Sequence, residues 1–206
     1  MSAAITARKA FLKMLWEDNP VFCQILGICS ALAVTNRVVN TLVMGAGLMF
    51  ATALGCYTVS ILRNCTPRQV RMMAQVLIIA AYVIVVKLLL DAFLPDISRQ
   101  LGAYVGLIIT NCIIMGRCEA FAAQNKPWPS LVDGFGAGLG YTLVLLAIAM
   151  IREPMGLGTF CNIQVMPEWW VPWNLMIIAP GGFFMIATLV WIVRWSRMRG
   201  AAPKKG

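Results

Sequence analysis

The sequence predicts an all-α integral membrane protein: six transmembrane helices as two inverted three-helix repeats, with the first and fourth helices short or broken. Three observations carry that prediction. First, 60% of the 206 residues are hydrophobic and 12% are charged, whereas a soluble domain is about half apolar and about a quarter charged. Second, apolar runs recur at membrane length, and no polar stretch is long enough to hold a core of its own. Third, the two shortest runs stand at corresponding places in the two halves of the chain, and each carries one cysteine.

The runs are Val21–Thr35, Val38–Leu62, Met72–Leu90, Leu101–Gly116, Leu131–Ile151 and Leu175–Val193. The four longer ones reach the length of a membrane span. Their Leu, Ile, Val, Ala, Met and Phe lack the alternation of a membrane barrel, and backbone in lipid has to satisfy its own hydrogen bonds, so they are helices. Val21–Thr35 and Leu101–Gly116 have 15 and 16 residues, about 22 and about 24 Å of helix, against a hydrocarbon core of about 30 Å.

Residues 1–18 read as a surface helix with Phe11, Leu12, Leu15 and Trp16 toward the lipid. The rival reading is a cleavable signal peptide, with Arg8, Lys9 and Lys13 before an apolar run and Ala31-Leu32-Ala33 as an imitation of a cleavage site. Glu17 and Asp18 interrupt that basic region, and Asn19-Pro20 has the form of a helix start. Each half, roughly 1–97 and 98–206, then opens on a short segment running from a glycine to an arginine: Gly27 to Arg37, and Gly106 to Arg117. Three spans per half is an odd number, so the second repeat has to face the other way. Short or interrupted segments at matching places in inverted repeats point to a site at the membrane midplane.

Small residues show where helices approach. Gly47, Ala51 and Gly55 share one face at four-residue spacing, and GFGAGLG supplies the overlapping pairs Gly134/Gly138 and Gly136/Gly140. Charge sets the orientation. With six crossings, one side holds 13 Lys and Arg; the other holds four: Arg37, Lys87, Arg99 and Arg152. The positive-inside rule then puts both termini in the cytoplasm. The net charge of +9 is a topology signal with some attraction to anionic lipid, and calls for no nucleic acid. The loop 152–174, with Trp169, Trp170 and Trp173, reads as interfacial anchoring. Residues 197–206 read as a basic, disordered tail of this single transmembrane domain.

The chemistry narrows by exclusion. No histidine is present, which removes the commonest general base and haem ligand and any histidine-dependent hydrolase. No CxxC occurs among the seven cysteines, and no phosphate-binding loop follows a strand. Packing accounts for Cys23 and Cys56; Cys65, Cys118 and Cys161 sit near interfaces or loops without an assigned role. Cys29 and Cys112 stand apart because each lies in a broken segment. Two thiolates are half of an iron–sulfur ligand set, though small buried cysteines also serve as plain packing. Asp133 is a candidate for a cation pathway and equally for a helix N-cap. Asn111 is placed to satisfy backbone at the break, Lys87 and Asp91 are spaced to pair, and Glu119 is expected to pair with Arg117 or to anchor a loop.

The stretches GICSALAVT, QLGAYVGLIITNCIIMGRCEAFA, DGFGAGLGY and IREPMGLGTF resemble the D subunits of the sodium-translocating NADH:quinone reductases. The likeness runs from Asn19 to about Trp195, with the E subunits of Rnf ferredoxin:NAD oxidoreductases as the sister family. The resemblance implies a homologous six-helix partner, the reductase's own E-type component, of opposite orientation. It implies two cysteines from each partner on one 2Fe-2S cluster, with Cys29 and Cys112 as this chain's pair. It also implies a place in the bacterial inner membrane beside the A, B, C and F components, which hold the flavins and the NADH and ubiquinone sites. Electron flow through that assembly drives Na+ export. This chain would hold no complete active site. The rival from another class is a cluster-free transporter or scaffold.

Overall fold

The computed structural model describes residues 26–67, 69–93, 95–160, 163–164 and 178–200. Its helices are α1 (Ile28–Val34), α2 (Val38–Leu62), α3 (Arg71–Phe93), α4 (Pro95–Ile109), α5 (Cys112–Arg117), α6 (Pro127–Leu157) and α7 (Ala179–Gly200). A single π-helical turn, Cys118–Ala122, continues α5. Two-residue strands, β1 (Thr159–Phe160) and β2 (Ile163–Gln164), pair antiparallel after α6. Among the described residues, four stretches are long and apolar enough to cross a membrane: Val38–Leu62, Arg71–Phe93, Tyr104–Ala122 and Pro127–Gly156. The first and sixth expected segments begin outside the described residues, as do residues 1–18, Cys23, Cys161 and the three loop tryptophans.

α2 and α6 form the spine as an antiparallel pair. Small residues make the close crossing possible. A Cβ on Gly134 would stand 2.9 Å from the Thr52 carbonyl oxygen, and one on Gly138 would stand 2.8 Å from the Met49 Cα. The next turn brings Thr142 against Gly45, whose carbonyl accepts from the Thr142 hydroxyl at 3.3 Å. The other glycine face of α2 receives α3. Gln75, Ile79, Val83 and Val86 are its buried stripe, with Ile79 over Gly55 and Val86 over Gly47. Much of the opposite face of α3, including Met73, Leu77 and Leu88, is exposed apolar surface of the kind lipid covers.

The ends of the spine are tied by polar groups. At one end Arg63 donates to the carbonyls of Gln124 and Asn125, and Ser60 to that of Asn125. The loops after α2 and after the π turn therefore share one end, as the six-crossing reading requires. At the other end Glu153 accepts from the Val38 amide at 2.7 Å and so caps α2, whose own N-cap residue makes no side-chain bond. Gly158, left-handed at φ 67°, closes α6 by donating to the Pro154 carbonyl.

Two sequence boundaries are corrected. The fourth segment is interrupted but not short: helical backbone runs from Pro95 through the break to Ala122. The fifth begins at Pro127, so Asp133 lies inside the helix and is not its N-cap. Both corrections have one cause. A group that looks like a limit in sequence is accommodated inside a helix: Arg117 is neutralised by Asp133, and Pro127 and Pro129 sit in a first turn, where proline costs no hydrogen bond. α7 also continues through Gly200, so the first residues of the expected disordered tail are helical.

Candidate functional site

The start of α1 meets the break between α4 and α5. The start lies at Gly27, left-handed at φ 84°, immediately before α1. The break is Thr110–Asn111, between α4 and α5. The Gly27 amide donates to the Cys112 sulfur at 2.9 Å. No other residue type fits at Gly27: a Cβ would lie 2.6 Å from Ile113 Cδ1 and 2.7 Å from Tyr141 Cε2, on a backbone that L residues avoid. Cys29 is the second residue of α1 and is exposed; Cys112 is the first of α5 and is half-buried. Cys29 is two residues beyond the glycine whose amide reaches the Cys112 sulfur, so both expected ligands belong to one junction.

A closed polar network lies beneath them. Asn111 caps α5, its Oδ1 accepting from the Ile113 amide at 3.0 Å, as the break demanded. Its Nδ2 donates to Ser30 Oγ at 3.0 Å. Ser30 and Tyr141 share a hydrogen bond of 2.5 Å, and Tyr141 donates to the Gly27 carbonyl at 2.7 Å. All three side chains are fully buried. Each hydroxyl or amide has its partner, which buried polar groups require.

The charges form separate features. Arg117 holds Asp133 with two bonds, Nε to Oδ2 at 3.0 Å and a terminal nitrogen to Oδ1 at 2.5 Å. Asp133 is inaccessible and Arg117 nearly so. The guanidinium also stands 5.6 Å from the Phe121 ring centre. Glu119 pairs with Arg71 and accepts from Gln75, so it is not the partner of Arg117. At the far end Arg152 donates to the Leu32 carbonyl and Thr35 Oγ1, which close α1, and to the Ile178 carbonyl before α7. Lys87 and Asp91 are both exposed on α3.

α6 thus touches both broken segments: Asp133 behind the second, Tyr141 at the meeting point, Arg152 behind the first. At 1.5 Å per residue, Tyr141 is about 12 Å from Asp133 and about 16 Å from Arg152 along the helix. The thiol locus is therefore near the middle of a membrane-length helix.

The family model for Rnf-Nqr subunits, membrane proteins, matches residues 7–190. The chain belongs to the Rnf-Nqr subunit family. Members of this family are subunits of redox-driven ion-translocating complexes. In this Rnf-Nqr subunit Cys29 and Cys112 lie where the start of α1 meets the break between α4 and α5, beside the middle of α6.

Sequence reasoning missed Tyr141, Ser30 and the Cys56–Cys118 contact, where two buried sulfurs stand 3.7 Å apart. Cys118 is buried at the start of the π turn, four residues before its helical segment ends at Ala122. For Tyr141 a signal existed: a tyrosine within an apolar helix needs a hydroxyl partner. Opposite charges in two apolar runs, Arg117 and Asp133, were a signal of the same kind.

Proposed function

We propose that this chain is the D-type subunit of a sodium-pumping NADH:ubiquinone reductase, and that Cys29 and Cys112 hold one half of a 2Fe-2S cluster shared with a homologous E-type partner. One observation carries the reading: the two broken segments converge so that the Gly27 amide bonds the Cys112 sulfur while Cys29 stays exposed. Two cysteines are half of the four-thiolate set such a cluster takes. Among the described residues no group of three potential metal ligands gathers. The donor set fits a cluster shared across a subunit boundary, and the exposed Cys29 is where a partner would close it. When bound, the cluster supplies one-electron transfer.

This chain's own part is to present two sulfurs, give one of them an amide donor, and keep their surroundings apolar. Short helices with inward N-terminal amides favour the negative charge of thiolates. NADH, flavin and quinone chemistry belongs to other subunits, and this chain has no complete active site. The convergence of two similar breaks supports the inverted-repeat reading. The charge bias supports cytoplasmic termini in the inner membrane: with the buried Arg117 and Arg152 set aside, it is still 12 against three. The Asp133 carboxylate is engaged at both oxygens, so a cation role for it requires the Arg117 pair to open.

The test is iron content and low-temperature EPR of the purified complex, comparing wild type with Cys29→Ala and Cys112→Ala. Loss of a 2Fe-2S signal in both variants, with the assembly intact, is expected. Unchanged iron and signal return both cysteines to packing and favour the transporter or scaffold. Companion subunits that oxidise ferredoxin would make this the Rnf counterpart, with the same ligand pair.

A further inference from the structure

We infer that Tyr141 is a positioning residue that, through Ser30 and the Gly27 carbonyl, holds the Gly27 amide on the Cys112 sulfur and so sets the reduction potential of the metal centre there. The inference rests on the cluster reading above.

The hydrogen bonds converge on one carbonyl. Asn111 Nδ2 donates to Ser30 Oγ. Tyr141 reaches the Gly27 carbonyl at 2.7 Å and Ser30 Oγ reaches the same carbonyl at 3.2 Å, while the two hydroxyls share a bond of 2.5 Å, so both converge on that one oxygen. The Asn111 amide cannot be turned over, because its oxygen already caps α5 at the Ile113 amide. The chain of donors ends on the carbonyl of the one residue whose N–H reaches sulfur.

Gly27 needs such a clamp. Left-handed backbone without a side chain is mobile unless fixed from outside. The Tyr141 ring packs where a Cβ would be, and its hydroxyl holds the carbonyl. With the carbonyl fixed, the amide on the other side of the same Cα is aimed. An amide donor to a thiolate stabilises the more negative, reduced state of a cluster and raises its potential. Tyr141 and Ser30 touch neither sulfur by hydrogen bond, so they act through Gly27.

The experiment is an EPR-monitored redox titration of the intact purified complex, with iron counted in each sample. Tyr141→Phe keeps the ring and removes the hydroxyl. It is expected to retain iron and shift the midpoint to more negative values, by about tenfold in the reduction equilibrium or about 59 mV for one electron. Ser30→Ala, which removes the second hydroxyl on the same carbonyl, is expected to shift it the same way. Thr142→Val is the control. It removes the neighbouring hydroxyl on α6, which serves Gly45 and Gly138 instead, and should leave the potential where it was.

Full iron with an unmoved potential in Tyr141→Phe overturns the inference while the cluster reading stands. An equal shift in Thr142→Val overturns it as well, since any loss of helix packing would then do the same. If Tyr141→Phe loses its iron, Ser30→Ala decides by the same criterion. Wild type without iron overturns the cluster reading and this inference together.

Discussion

The two broken segments solve one problem by different means. Each has to start a helix in apolar surroundings, where an unpaired amide is costly. The first starts from backbone alone: Gly27 is left-handed, and its side of α1 has no side-chain cap. The second restarts from a side chain, with Asn111 capping α5. Their far ends differ too. α1 ends on Arg152, borrowed from α6, and its own Arg37 is exposed. The second segment ends on its own Arg117, which is buried and neutralised by Asp133 of α6. Similar breaks in two repeats thus do not imply similar sensitivities.

The largest difference should appear at the far ends. Asp133→Asn keeps the shape and leaves Arg117 as a buried charge without its counter-ion. Breaking such a pair costs about 3–5 kcal/mol. The complex should unfold at markedly lower temperature in detergent. Adding Arg117→Gln should recover much of the loss, because the pair rather than either charge is what the interior tolerates. If Asp133→Asn alone unfolds where wild type does, the interior holds enough water to screen Arg117, and the contrast with exposed Arg37 disappears.

Next comes the glycine break. Gly27→Ala has to bear left-handed strain of about 1–2 kcal/mol and overpacking of about 1–3 kcal/mol. Ile113 is flexible at its end, but the Tyr141 ring is held by two hydrogen bonds. The expected result is lower thermal stability together with altered Cys112 surroundings, checked by unfolding and by the EPR line shape of the complex. An unchanged line shape would show that Gly27 can turn without moving its amide off the sulfur.

Much of this was legible in the residues and some was not. Val38–Leu62 is a helix at the bounds its apolar run suggests. The breaks at Gly27 and Asn111 were marked by segment length and by a polar residue inside an apolar run. Gly134 and Gly138 lie at the closest helix crossing, as their spacing implied. What the sequence obscured was long-range pairing. Arg117, Glu119, Arg152 and Glu153 read as segment limits because charge ends an apolar run. Their partners, Asp133, Arg71, Thr35 and the Val38 amide, come from elements remote in sequence. Periodicity reports which face of a helix is apolar; it says nothing of which distant charge will cancel another. Tyr141 was obscured for the same reason, since its acceptor is the carbonyl of Gly27, 114 positions away.

The smallest effect should come from the side-chain break. Asn111→Ala removes an N-cap, which costs about 1 kcal/mol, and takes from Ser30 a donor that its remaining bonds partly replace. Asn111→Asp separates the two roles. A carboxylate caps α5 as well as an amide does, but it offers Ser30 no N–H, and it brings negative charge beside the Cys112 thiol. In thermal unfolding of the complex, Asn111→Asp should sit nearer wild type than Asn111→Ala if capping is the main role. The reverse order would mean that charge beside the sulfur outweighs the cap. Asn111→Ala should stay milder than Gly27→Ala, and Asn111→Asp does so where its buried carboxyl takes up a proton, since an ionised one lacks a counter-ion. A lost cap can be replaced by water or a small backbone adjustment, whereas a methyl group at Gly27 has no place to go while Tyr141 and Ile113 hold their positions.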